Sequence, residues 1–193
     1  MLKKLMLSLC FSTSLFAMHD VSVSLNNEDL EIQGSLDIGE LNKSDFPDTY
    51  FLTLGLLNVD GTLSTNPLSY IGFMLRQEIS GTKNLRFGVG FKATYTKVSG
   101  VTHMTAPLNA ELAYTLPLDM TLPLTLFANV AYAPNVLSFS DASKYFESRL
   151  EIQLQIIEQG NIFLGYRHIE VGFENQSTYK YSGAGYLGFK IRF

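Results

Sequence analysis

The chain has 193 residues, with 14 Lys and Arg against 18 Asp and Glu, for a formal net charge of −4. That mildly acidic balance argues against a nucleic-acid partner, and a single cysteine leaves no disulfide framework. Hydrophobic residues reach 46% and charged ones only 17%, yet from Asp20 onward no run approaches the roughly 18 apolar residues that a membrane helix needs.

Met1 to Ala17 has a basic start in Lys3 and Lys4, an apolar stretch from Leu5 through Phe16 and a small residue at its end. It reads as a secretory signal peptide cleaved after Ala17. Its removal takes two lysines with it, shifts the net charge from −4 to −6 and leaves residues 18–193 as one domain. Cys10 lies inside this leader behind Leu9, where a lipobox wants a small residue, so it reads as an apolar leader residue.

Beyond the leader, hydrophobicity alternates with a period of two. Val21 to Leu25 and Leu30 to Ile38 are short alternating segments, the second setting Ile32, Leu36 and Ile38 against Glu31, Gln33, Ser35 and Asp37. Eight longer ones follow from Tyr50 to the end. Leu85, Phe87, Val89, Phe91, Ala93 and Tyr95 share one face of the clearest, against Arg86, Gly88, Gly90, Lys92, Thr94 and Thr96 on the other. Each meets the roughly 9 to 11 residues with which a tilted strand crosses a bilayer.

The connections alternate between tight (Ser80 to Lys83, Pro117 to Met120, Gln159-Gly160) and longer (Asp60 to Pro67, Ser99 to Met104, Pro134 to Ser143, Asn175 to Ser182). That is the pattern of tight periplasmic turns and longer outer loops. The last strand, Ala184 to Phe193, keeps Leu187, Phe189, Ile191 and Phe193 on one face and ends on an aromatic residue. Such a strand closes a barrel onto the first, with Phe193 at the seam, so that no hydrogen-bonding edge faces lipid. The expected fold is an all-β, antiparallel transmembrane β-barrel of ten strands. Eight strands is the alternative, with residues 19–45 outside the wall or in the lumen. Tyr50, Tyr70, Tyr95, Tyr114, Tyr132 and Tyr181 fall near strand ends, where an interfacial girdle is expected.

With the apolar faces in lipid, the opposite faces line the lumen. They carry Glu31, Asp37, Glu78, Glu111, Glu147 and Glu151 against Arg76, Arg86, Lys92, Arg149, Arg167, Lys190 and Arg192. A barrel of this size is barely wider than its side chains, so these charges are expected to pair and fill it. Inward Gly72, Gly88, Gly90 and Gly188 would make room for the long chains. Arg167, His168 and Glu170 cannot all point inward, which calls for a bulge near Arg167 or the outer rim there.

Tyr132-Ala133-Pro134-Asn135-Val136-Leu137-Ser138-Phe139-Ser140-Asp141 resembles the YAPxxLSFSD segment of the YfaZ family. Gly165 to Glu170 is similar to its GYRHI-acid strand, and Tyr186 to Phe193 to its terminal strand. The resemblance implies a Gram-negative outer-membrane barrel and supplies neither catalytic residues nor a ligand. The expected surroundings are outer-membrane lipid and lipopolysaccharide, with the barrel assembly machinery during biogenesis and a monomeric state.

No cofactor is expected, since P-loop and dinucleotide fingerprints are missing and Asp60-Gly61 does not continue as a calcium loop. His19 and His103 have no partners at metal-ligand spacing. A non-catalytic structural or interaction role, or limited small-solute passage, is the expectation. The enzymatic alternative is a lipid hydrolase using His168, Glu170 and Ser177. The apolar Val136, Leu137 and Phe139 point to a loop that folds over the mouth or meets a partner.

Overall fold

A computed structural model describes residues 19–41, 48–60, 65–79, 81–82, 84–118, 122–174 and 176–193. The expected signal peptide and Cys10 lie outside the described residues.

The two N-terminal segments belong to the barrel wall. β1 (His19–Leu25) pairs antiparallel with β2 (Asp29–Asp37) on one side. On the other it pairs with the last strand, β12 (Gln176–Arg192), Val21 opposite Ile191 and Leu25 opposite Leu187. From β2 the ladder passes through β3 (Tyr50–Val59), β4 (Leu68–Glu78), β5 (Leu85–Val98), β7 (Leu108–Thr115), β8 (Leu124–Ala133), β10 (Ala142–Ile157) and β11 (Gly160–Phe173) back to β12. Ten antiparallel staves therefore close on themselves.

Two further strands extend the wall. β6 (Val101–Thr105) continues the line of β7 against β5, and β9 (Ser138–Ser140) pairs with β6. Prolines cause both interruptions, because a proline has no N–H to give the ladder. Ala106-Pro107 separates β6 from β7, and Pro134 begins a 3-10 turn (Asn135–Leu137) before β9. The Leu137 carbonyl then accepts the Ala106 amide at 2.8 Å, tying the two breaks together.

Three of the expected outer loops are corrected by these pairings. Ser99 to Met104 is mostly strand, entered through a Ser99-Gly100 turn with both residues at positive φ. Within the expected Asn175 to Ser182 loop, Gln176 to Ser182 is the start of β12, and Pro134 to Ser143 is folded wall rather than a lid over the mouth. Strands above the lipid lack an apolar outer face, so Gln176 to Lys180 read as loop from polarity alone.

Around the outside, successive staves present an apolar belt. Leu108, Leu150, Leu164 and Leu187 are 64%, 63%, 61% and 57% exposed. Burying such a belt in lipid while every backbone donor stays in the ladder is the one strand-based way across a bilayer. Among the described residues no helix is long and apolar enough to cross.

Of the tyrosines expected in a girdle, Tyr95 and Tyr132 face outward, whereas Tyr70 and Tyr181 are 8% and 2% exposed and point inward. Tyr70 shares parity with inward Gly72 and Met74, so the alternation already contradicted a girdle role. Phe193 lies one residue beyond the β1–β12 ladder and is 45% exposed, so closure rests on Leu187 to Arg192 instead.

At the end away from the termini the interior is apolar. Leu57, Leu68, Val98, Tyr145, Ile169, Val171, Phe173 and Tyr181 form one buried cluster, with Leu137 packed against it. His103 of β6 is fully buried beside it, its ring 5.4 Å from that of Phe173. Its Nε2 lies 3.0 Å from the Lys144 carbonyl, which can only accept, so Nε2 carries the proton. Nδ1 is buried without a partner.

Burial accordingly lowers the His103 pKa, opposed by the Lys144 bond. The neutral form is the one that fits. Stability from this residue is therefore present above the unfolded value of 6.5 and is lost as pH falls from there toward the lower folded value. The protection of the β6 amides against hydrogen exchange, measured relative to their intrinsic rates, should fall below about pH 6.5, and His103→Phe should remove that pH dependence. Unchanged acid sensitivity in the variant would assign it to other groups.

Candidate functional site in the barrel lumen

Below the apolar cluster, strands β2, β5, β10 and β11 aim charged side chains at one another. The parity that turns Leu30 and Ile32 outward turns Asp29 and Glu31 inward. The same alternation aims Lys92, Glu147, Arg149 and Arg167 into the lumen. They form an alternating chain of three acids and three bases. Asp29 accepts from Arg167 at 3.1 Å, and Arg167 also donates to Glu31 at 2.6 Å. Arg149 donates through both terminal nitrogens to Glu31 at 2.7 Å and through Nε to Glu147 at 2.5 Å. Lys92 completes the chain on Glu147.

Hydroxyls satisfy remaining lone pairs. Tyr70 donates to Glu31 at 2.8 Å, Tyr145 to Glu147 at 2.5 Å and Ser182 to Asp29 at 2.6 Å. Arg167 and Glu147 are each 1% exposed. Charges so far from water persist only when paired and hydrogen-bonded on every side, and this neutral chain meets that condition. It crosses the lumen from β2 to β5.

Further toward the termini Arg76 bonds Glu111 at 2.5 Å and lies over the Phe51 ring at 4.2 Å. Inward glycines face large neighbours across the ladder. Gly72 stands opposite Lys92 and Gly88 opposite Glu111, as expected from the need for room. Gly188, Gly165 and Gly55 stand opposite Phe163, Tyr186 and Tyr70, whose rings lie over them. These aromatic side chains lie flat against the wall, which sequence parity alone did not suggest. Tyr186 in turn donates to Glu151 at 2.7 Å and receives Arg167 over its face at 4.9 Å.

A cavity of about 90 Å3 remains here, lined by Glu31, Lys92, Glu111, Arg149 and Lys190 among others. A second, of about 180 Å3, opens at the terminus-bearing mouth and shares Lys190 with it. Arg86, Lys190 and Arg192 line the mouth cavity, and among the described residues none has an ion-pair partner within 4 Å. The expectation that all lumen charges pair is corrected at this point. Arg86 and Arg192 are exposed at this mouth, and charges open to solvent have little to gain from pairing. Glu78 is likewise exposed at this end.

His168 and Glu170 face outward above the belt, Nε2 3.1 Å from Oε1. Alternation is unbroken along β11, and the register shift lies opposite, where Tyr181 of β12 is unpaired between Lys180 and Ser182. Ser177 lies near the level of Gly172, between the Phe173–Gln176 and Val171–Tyr179 pairs. Four residues of strand put it about 13 Å from His168 along the wall. The hydrolase constellation is not assembled.

Asp29 and Tyr145 escaped the sequence reading, and Tyr186, which shares the inward parity of Lys190 and Arg192, had no role assigned to it. Asp29 has the parity of Glu31 and was legible on that ground, whereas Tyr145 looked like an ordinary strand residue.

The family described as YfaZ precursor matches residues 71–193, more than half of the chain. The chain belongs to the YfaZ family. The YfaZ match begins at β4, so it contains Arg76, Lys92, Glu111, Glu147, Arg149 and Arg167 but neither Asp29 nor Glu31. Curated proteins give no match. Among solved structures, this YfaZ chain is similar to the NanC porin in a rhombohedral crystal form. The TM-score is 0.43 and the identity 9%, over 92% of this chain and 99% of that one. It is also similar to the Acinetobacter baumannii outer membrane protein Omp33, with TM-score 0.39 and identity 7%, over 94% and 100%.

Proposed function

We propose that this protein is a Gram-negative outer-membrane barrel whose lumen is sealed, with a structural or interaction role and no catalysis. One observation carries the reading. Any solute path would have to cross both the apolar cluster around Ile169 and Tyr145 and the buried charge chain from Asp29 to Lys92. Among the described residues, the cavity bordering the charge chain holds about 90 Å3, room for a few waters. The apolar belt fits outer-membrane lipid and lipopolysaccharide, the barrel assembly machinery would insert the chain, and the closed wall leaves no edge requiring a second copy.

The test is single-channel recording in a planar bilayer, with folding established by heat-modifiable gel mobility. The folded protein should give no discrete steps. A second reading, slow passage of small solutes, draws on the lumen being hollow from the mouth up to the charge chain through the two cavities that share Lys190. Steps from the wild-type protein would select it and end the sealed-barrel reading.

A further inference from the structure

We propose that the terminus-bearing mouth of the barrel is a binding site for a small anionic group of the phosphate or carboxylate class. Every base of the central chain has an acid, and Arg76 has Glu111. Arg86 on β5 and Lys190 and Arg192 on β12 have none within 4 Å, yet all three converge on one cavity of about 180 Å3. Among the described residues no acid pairs with them, although Asp48 and Glu111 lie close enough to act on Arg86. Glu78 stands opposite Arg86 in the ladder and Asp20 opposite Arg192, without an ion pair in either case. Asp20 is buried with one carboxylate oxygen unbonded. Glu158 is the acid on the cavity wall, and its carbonyl accepts from Gln155.

The rest of the lining suits an oxyanion. Asn161 carries an amide group, Gln153 and Gln155 each spend one amide hydrogen on Glu151 and on the Glu158 carbonyl and keep the second, and Thr115 and Thr125 bond each other at 3.0 Å, which leaves one hydroxyl hydrogen between them. A cluster of cations with neutral donors between them recognises oxyanions by charge-assisted hydrogen bonds. Since the lumen is closed above, the ligand enters and leaves by the same mouth. It is a pocket, not a path. The chemistry is shared by a free anion in solution and by the phosphate of a lipid headgroup reaching around the rim.

The experiment titrates inorganic phosphate into the full barrel in maltoside micelles at low salt, followed by calorimetry. Saturable binding is expected, weakened about tenfold or more by Lys190→Gln and by Arg86→Gln. Lys180→Gln, at the far end of β12, should leave it unchanged. Both mouth variants are checked for folding by gel mobility, and either one suffices. A second arm repeats the titration in nanodiscs of phosphatidylcholine with and without phosphatidylglycerol. Competition by phosphatidylglycerol in the wild type identifies the headgroup as the source, and its lack identifies a free anion. No saturable heat, or equal affinity in wild type and both mouth variants, overturns the site.

Discussion

Arg149→Ala should destabilise the folded barrel by about 3–5 kcal/mol, the range for breaking a buried ion pair from one side. Arg149 is the central link of the lumen chain, serving both oxygens of Glu31 and one of Glu147. Its removal leaves three acids facing two bases where water hardly enters. Glu31 would keep Arg167 and Tyr70, and Glu147 would keep Lys92 and Tyr145. The surplus negative charge nonetheless has no counterion.

Arg149→Lys should recover only part of the loss, because one ammonium cannot reproduce a fork that engages two carboxylates at once. Urea unfolding from lipid vesicles measures the effect. Tyrosine fluorescence is a usable probe, since the chain has 10 Tyr and no Trp. A loss below about 1 kcal/mol would mean that the chain is solvated like a surface pair.

Tyr145→Ala should cost a similar amount, about 3–5 kcal/mol, the range for truncating a buried aromatic side chain. Tyr145 is fully buried where the apolar cluster meets the charge chain, and its hydroxyl donates to Glu147. Truncation removes the ring from one layer and a donor from the other. Tyr145→Phe isolates the second part and should cost about 1–3 kcal/mol.

The alanine variant has a further readout. The void opens the apolar layer while the charge chain from Asp29 to Lys92 stays bonded, so bilayer recordings of Tyr145→Ala should stay as silent as wild type and Tyr145→Phe. Conductance from stable Tyr145→Ala barrels would place the seal in the apolar layer alone.

The staves were legible in the sequence wherever one face meets lipid. In β5 alternation between Leu or Phe and charge gave faces and boundaries together, and in β10 it gave the faces from Glu147 onward while the strand itself begins at Ala142. The legibility stops at the lipid boundary. In β6 and the first turn of β12 both faces leave the hydrocarbon region, so Val101 to Thr105 and Gln176 to Lys180 lose the contrast from which a strand is read. Pro107 and Pro134 added to this, since each ends a run that the fold resumes on the other side.

In the lumen, parity predicted which charged residues point inward but not which ones meet. Partner choice depends on height along tilted staves, as with Arg149 reaching Glu31 across 118 sequence positions. That information is in the closed register and not in any one strand.

The seam between β1 and β12 has a kinetic consequence. It joins six residue pairs that are 162 to 172 positions apart, whereas β10–β11 and β11–β12 join fourteen and thirteen pairs across tight turns. Loop closure over the whole chain costs more entropy than a local hairpin and returns fewer bonds. The C-terminal hairpins can therefore zip early, while the first strand has nothing to pair with on its far side until the last is in position. Until then both edges of the sheet lie open to other chains.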